Sequence, residues 1–535
     1  MTGLPRRRFL HGAAGALAAA AALAPRHGLA APMPAASLAR VRGGRVAGVR
    51  EDGVHVFRGL RYGADTAPRR FLPALREPAW RGVREAAGYG AAAPQRGAEG
   101  PGSEDCLFLN LWTPALRDGG RRPVLVYIHG GGYATGSGSD PLYDGARLCR
   151  RGDVVVVTLN HRLNAFGYLY LKDLLGPDYA ASGNVGQLDL VQALQWLREH
   201  AAEFGGDAGN VTVFGQSGGG AKIATLMAMP AARGLFHRAW TMSGQQVTAA
   251  GPRAADGRAR IFLDALGLGP EQAPQLASMP AEALLQALSA RDPSRVEDTA
   301  LYLGPVMDGT ALPRHPFWPD APPQSARIPM VVGNTRDETR AFLGRDPGNF
   351  ALDWDTLPAK LRTQQYVDLD PATVVAAYRR MYPDYTPSEV FFAATTAGRS
   401  WRGAVEELEA RARDGGGNTW AYQLDWYPRD VDPEGRMRAF HTLDIALVFD
   451  NIARPGSRTG ASPQAQRVAD AMSGALLAFA RGGDPRAGAT ADWAPYTLDR
   501  RETLVFADAP RMQDDPRGGE RRLYARAPFV QRGAF

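Results

Sequence analysis

VTVFGQSGGGAK, residues 211–222, sets a serine among glycines directly after a β-branched apolar run. Three readings compete for such a stretch: a nucleophile on a tight turn, a phosphate-binding loop, or a flexible connection. Gly215, Ser217 and Gly219 fit G-x-S-x-G, a pattern short enough to need support from its surroundings. The surroundings supply it. VTVF has a strand pattern and AKIATLMAM, residues 221–229, a helix pattern, and a strand-to-helix turn is what a nucleophile elbow requires. Small neighbours let the serine tolerate the strained backbone of that turn. A phosphate loop would need a lysine and a hydroxyl directly after its last glycine. Here Ala221 separates Gly220 from Lys222 and Ile223 follows, so the register is wrong. Lys222 reads as a plain helix residue.

Outward from the elbow, DVVVVTLN (residues 153–160) is a nearly continuous valine run, the mark of a strand buried on both faces of a parallel sheet. LFLNLW (107–112), VLVYIHG (124–130) and IPMVVGN (328–334) read as further strands. GQLDLVQALQWLREHAAEFGG (186–206) places Leu190, Val191, Leu194 and Leu197 at helical spacing and ends on glycines. Alternating β and α segments predict an α/β fold, a mostly parallel sheet with helices on both faces. Residues 250–320 and 350–435, rich in Ala, Leu, Arg and Pro, read as helical insertions. Residues 31–100 read as an irregular lead-in with short strands such as GVHVFRGLRY (53–62). No internal repeat is visible, so residues 31–535 are expected to form one domain.

The N-terminus has the pattern of an export signal. PRRRFLH (5–11) supplies paired arginines, residues 13–24 are apolar and uncharged, and small residues follow around GLAAP (28–32). The apolar run is far short of the ~20 residues that span a bilayer, which argues against a stable membrane anchor. Arg6, Arg7, Phe9 and Leu10 match a twin-arginine signal over residues 1–30, implying the twin-arginine export machinery as a partner and a periplasmic or secreted destination. Without those 30 residues the formal charge drops from +7 to +3, because Arg6, Arg7, Arg8 and Arg26 leave and no acid does. The remaining arginines form no patch interleaved with aromatics, which excludes a nucleic-acid partner. Two cysteines, Cys106 and Cys149, make neither a disulfide framework nor a metal spacing and are expected as buried free thiols.

A serine hydroxyl attacks poorly until a base takes its proton and an acid orients that base. In a strand–elbow–helix fold the chain order is Ser, then Asp or Glu, then His. The acid should follow a sheet strand, and VVGNTRDE (331–338) offers both Asp337 and Glu338 there. Beyond Glu338 the chain holds one histidine, His441, in RAFHTLDIALVF, so order alone selects the base. YIHGGGY (127–133) follows a strand and presents consecutive glycine amides for an oxyanion, with the N–H of Gly218 as a further donor.

SEDCLFLNLWTP (103–114), residues 183–220 around the elbow and RAFHTLDIALVFDN (438–451) together resemble the type-B carboxylesterases. That family of α/β-hydrolases includes cholinesterases and bacterial p-nitrobenzyl esterases, and the resemblance runs from about Gly43 to the C-terminus. It implies an α/β-hydrolase fold whose helical insertions wall a gorge. It implies Ser217 as nucleophile, Glu338 rather than Asp337 as the acid, His441 as base, and an oxyanion hole of Gly131, Gly132 and Gly218. The implied activity is hydrolysis of small or medium carboxylic esters through an acyl-enzyme, with no metal or organic cofactor. Tyr133, Gln216 and Phe166 are candidate substrate-binding residues. The chain departs from the family pattern at four places: Gln216 stands for the usual Glu, Thr339 for Gly, Ala93 for a cysteine that would pair with Cys106, and Asp444 for Glu. Neutral Gln216 is expected to weaken any preference for cationic esters.

Overall fold

The valine run at the heart of the prediction forms the strand Val155–Leu159, with every residue buried. Its side chains alternate between two apolar layers, as the two-residue period of a strand requires. Val155 and Val157 join Val126 and Val213 under the helix Val185–His200, which contributes Leu190, Leu194 and Leu197. Val156 faces the opposite layer with Leu125, Tyr127 and Phe214, covered by the helix Pro463–Gly482 through Val468, Met472, Leu476 and Phe479. That long helix is bounded by local chemistry. Ser462 accepts from the N–H of Ala465, Pro463 opens the first turn, and Gly483 ends the helix at φ 78°.

The computed structural model describes residues 37–97, 102–293, 300–413, 415 and 417–531. The expected export signal, residues 1–30, lies outside the described residues. The described strands make one sheet whose central part is parallel. Its order is Val155–Leu159, Arg122–Ile128, Gly206–Gln216, Arg238–Met242, Met330–Thr335, Thr419–Leu424 and Glu502–Phe506. The elbow strand sits in the middle, with Ile128 opposite Gly215 on one side and Met242 opposite Gln216 on the other. Parallel strands bring their C-terminal ends to one edge, where open α/β sheets place their ligands. Three candidate segments emerge there: the glycine loop after Ile128, Ser217 after Gln216, and Asp337–Glu338 after Thr335.

One expectation about the strands holds and one needs correction. The lead-in holds the short strands expected of it: Ser37–Val41, Gly44–Glu51 and Val54–Arg61 extend the sheet in antiparallel fashion, and Val83–Glu85 pairs in parallel with Gly44–Glu51. Within 350–435, Thr419–Leu424 is a fully buried strand of the sheet rather than part of a helical insertion. Its Trp, Tyr and Thr carry the strand preference, and the Ala/Arg-rich residues around it hid that preference. The first insertion is helical over Pro252–Ala265 and Ala281–Ala287 but irregular over the described residues 300–320, and each insertion packs around an apolar cluster of its own, one with Phe262, Leu263 and Leu284, the other with Leu357, Tyr378 and Phe391.

Candidate active site

At the end of the central strand Ser217 takes φ 57° and ψ −128°, a conformation costly for any residue with a Cβ. The surroundings enforce it. The Ser217 N–H donates to the carbonyl of Met242 at 2.7 Å, and the helix Gly218–Leu226 begins at the next residue. Side chains at the following positions have no room: a Cβ on Gly219 would lie 1.9 Å from the Ile128 oxygen, and one on Gly218 would lie 2.0 Å from the Gly132 oxygen. The second figure also shows how closely the glycine loop approaches the elbow. Gly131 and Gly132 have φ of 84° and 62°, and among the described residues no acceptor pairs with the N–H groups of Gly131, Gly132 or Gly218. Those amides remain free to donate, and Gly132 and Gly218 border the same cavity as Ser217.

Glu338 and His441 meet from distant parts of the chain. His441 Nδ1 donates to Glu338 Oε2, and the other carboxylate oxygen accepts from the Thr335 N–H at 2.8 Å and Asn334 Nδ2 at 3.2 Å. Burial raises the Glu338 carboxyl, but the His441 ring, the Ser243 hydroxyl and the Thr335 N–H outweigh burial and hold it below its ordinary value. Asp337 faces elsewhere, with Oδ1 accepting from Arg340 Nε at 3.3 Å. The pair of carboxyls that the residues alone left open is thus separated by direction: only Glu338 reaches the imidazole.

Ser217, Glu338, His441, Gly132 and Gly218 line one cavity of about 260 Å³. Tyr133 is on its wall, fully buried, with its hydroxyl donating to Gln246 Oε1 at 2.8 Å. Gln216 is buried beside the base: its Nε2 is 3.2 Å from His441 Nε2 and 3.4 Å from Nδ1. Near-equal distances to both ring nitrogens put the amide over the imidazole face, not in its plane. Phe166 does not reach the cavity. It lies in the insertion cluster with Phe71, Tyr168 and Leu263, beneath the Arg70 guanidinium at 5.3 Å, so it packs the core rather than the substrate site. A wider open groove of about 710 Å³ near Trp80 and Trp196 contains none of these groups.

The departures from the family pattern are absorbed locally. The Thr339 hydroxyl lies 2.8 and 3.0 Å from those of Thr395 and Thr396. Asp444 accepts from the Tyr422 hydroxyl at 2.9 Å, and burial, then the Glu338 charge, pushes it up to about 7. Cys106 and Cys149 are free and buried; burial raises both thiols, Cys149 to about 12.

Four residues at or under the site had not been singled out for a role. Phe342, half exposed, rests its ring 4.9 Å from that of His441, and Gln531 lines the cavity while its Oε1 accepts from the Val247 N–H at 3.0 Å. Glu407 is buried below Gln246, accepting from its N–H at 2.7 Å. Lys222 is buried under the glycine loop and donates to the His129 carbonyl at 3.1 Å. Its signal in the sequence was a lone charge inside an otherwise apolar helix.

A sequence model described as the carboxylesterase family matches residues 31–523. The para-nitrobenzyl esterase of Bacillus subtilis is 34% identical over 90% of this chain and 96% of its own length. The phenmedipham hydrolase of Pseudarthrobacter oxydans is 33% identical over 88% of this chain and 95% of that protein. Among solved structures, a carboxylesterase of Geobacillus stearothermophilus superposes with a TM-score of 0.80 at 38% identity, covering 91% of this chain and 99% of that one.

Proposed function

The chain belongs to the carboxylesterase family and is a carboxylic ester hydrolase, and from that premise we propose that it works through Ser217, Glu338 and His441 by way of an acyl-enzyme. The observation that carries this reading is the convergence, on one cavity, of a strained serine, an imidazole held by a buried carboxylate, and free glycine amides. The substrates it fits are small or medium carboxylic esters.

In the first half-reaction His441 Nε2 takes the Ser217 proton as Oγ bonds to the ester carbonyl carbon. The carbonyl electrons move to oxygen, and the N–H groups of Gly131, Gly132 and Gly218 hold that oxyanion. When the tetrahedral centre collapses, the imidazolium gives its proton to the departing alcohol. Water then repeats the sequence on the acyl-enzyme and releases the acid. Glu338 keeps the proton of the resting imidazole on Nδ1, leaving Nε2 free to accept, and stabilises the cation once it forms. Each amide donor contributes about 2.7–4 kcal/mol toward the transition state.

Rapid mixing with p-nitrophenyl butyrate should give a burst of p-nitrophenol equal to the enzyme present, followed by slower steady turnover. Failure of the wild-type protein to turn over any short acyl ester would defeat the reading.

Gln216 bears on which esters are preferred. It stacks a neutral amide on the base where a Glu would place a negative charge. Gln216→Glu should therefore raise the kcat/KM of choline esters relative to neutral esters of the same acid by ~10-fold, through the local potential. An unchanged ratio would remove Gln216 from any account of selectivity.

A further inference from the structure

We propose that Lys222 is a positioning residue of this ester-hydrolysing site: its ammonium pins the His129 carbonyl at the root of the glycine loop and so holds the Gly131 and Gly132 amides against the Ser217 elbow. The inference rests on the role given above to those amides.

The geometry ties Lys222 to both ends of the loop. Nζ donates to the His129 oxygen at 3.1 Å and lies 5.7 Å from the ring centroid of Tyr133, the residue after the last loop glycine. Lys222 follows Gly218 by four residues in the same helix, so the two share a helix face. One short helix thus carries one oxyanion donor on its backbone and, a turn later, the side chain that anchors the other two.

Lys222 is also costly to keep. It is 0% exposed, and among the described residues it forms no ion pair with a carboxylate. Burying an unpaired ammonium opposes folding, and nothing in the packing of an apolar helix calls for it. The choice of lysine stands out further in a chain whose 62 basic residues include only three lysines, at 172, 222 and 360.

The groups facing the ammonium are of a kind that leaves its charge intact. The His129 and His161 rings stack at 4.7 Å and 12°, and burial followed by the Lys222 charge lowers both, His129 to about 3, so neither competes for a proton. Tyr133 offers its ring, and beyond it Gln246 leads to Glu407, whose carboxyl burial pushes up to about 8. Burial lowers Lys222 itself to about 7, so the pinning cation is present below neutral pH and fades above it.

Lys222→Met preserves the shape and removes the charge. With p-nitrophenyl acetate at pH 6 the variant should lose about tenfold in kcat with KM within twofold of wild type. The wild-type to variant ratio should then shrink toward one by pH 9, as the wild-type lysine loses its proton. The variant should also melt higher than wild type at pH 6, since the buried cation is gone. A Glu407→Gln variant, matching the protonated form of that acid, should keep the wild-type pH profile. A kcat ratio that is constant from pH 6 to 9, an unchanged kcat at pH 6, or loss of the alkaline decline in Glu407→Gln would overturn the proposal. An inert wild-type enzyme would instead count against the proposed function, which Ser217→Ala tests independently.

Discussion

Ser217→Ala should lower kcat by on the order of 10⁶-fold, while substrate is still bound with close to wild-type affinity. The loss follows from removing the atom that forms the acyl bond. The amides of Gly131, Gly132 and Gly218 and the cavity wall remain, so a residual acceleration over water of ~10³–10⁴ should survive. Burst kinetics and direct binding of a non-hydrolysable ester analogue separate the two effects. Alanine inherits the φ of 57°, so the fold should be little altered. Ser217→Gly should be as inactive but melt higher, because glycine relieves a backbone strain worth ~1–3 kcal/mol. A Ser217→Ala enzyme that still shows a p-nitrophenol burst would move the nucleophile elsewhere.

Glu338→Gln should cost about 10⁴-fold in kcat, from a change of one atom. The carboxylate oxygen that faces the strand end accepts two N–H donors, from Thr335 and Asn334. A glutamine must satisfy the same two donors with its carbonyl, which turns its NH₂ toward His441 Nδ1. Nδ1 then has to accept a hydrogen bond, the ring proton moves to Nε2, and the nitrogen that should receive the Ser217 proton already carries one. The fold should be intact, and melting temperature checks that. Asp337→Asn is the matched control. Its carboxyl serves Arg340, so kcat should stay within about threefold of wild type, in line with the small effects of changes away from buried networks. Equal losses in the two variants would show that the acid had been misassigned.

These two experiments also mark how far the sequence could be read. Ser217 is legible because its elbow is local: strand, serine, glycines and helix follow one another within a dozen residues. His441 is legible from chain order, because one histidine follows the candidate acids. Asp337 and Glu338 are not separable in this way. They sit side by side on a turn, and which carboxyl faces inward depends on how that turn packs against residues a hundred positions later. Phe166 shows the opposite hazard. An aromatic near a strand end suits a substrate wall and a core equally well, and the first insertion claims it for the core. Lys222 reads as a plain helix residue because a charge on a helix is ordinarily solvated; only the tertiary fold reveals that this face is covered. The sheet is legible where valines run on and not at the short strands Arg238–Met242, Thr419–Leu424 and Glu502–Phe506; the second of these is set among Ala- and Arg-rich residues.

Gln531 gives the cavity a dimension in time. It closes part of the wall and is fastened through Val247, a residue made almost 300 positions earlier. Ser217, Glu338 and His441 therefore all leave the ribosome before the chamber around them is complete. Removing Gln531 would open the chamber wall without touching Ser217, Glu338 or His441.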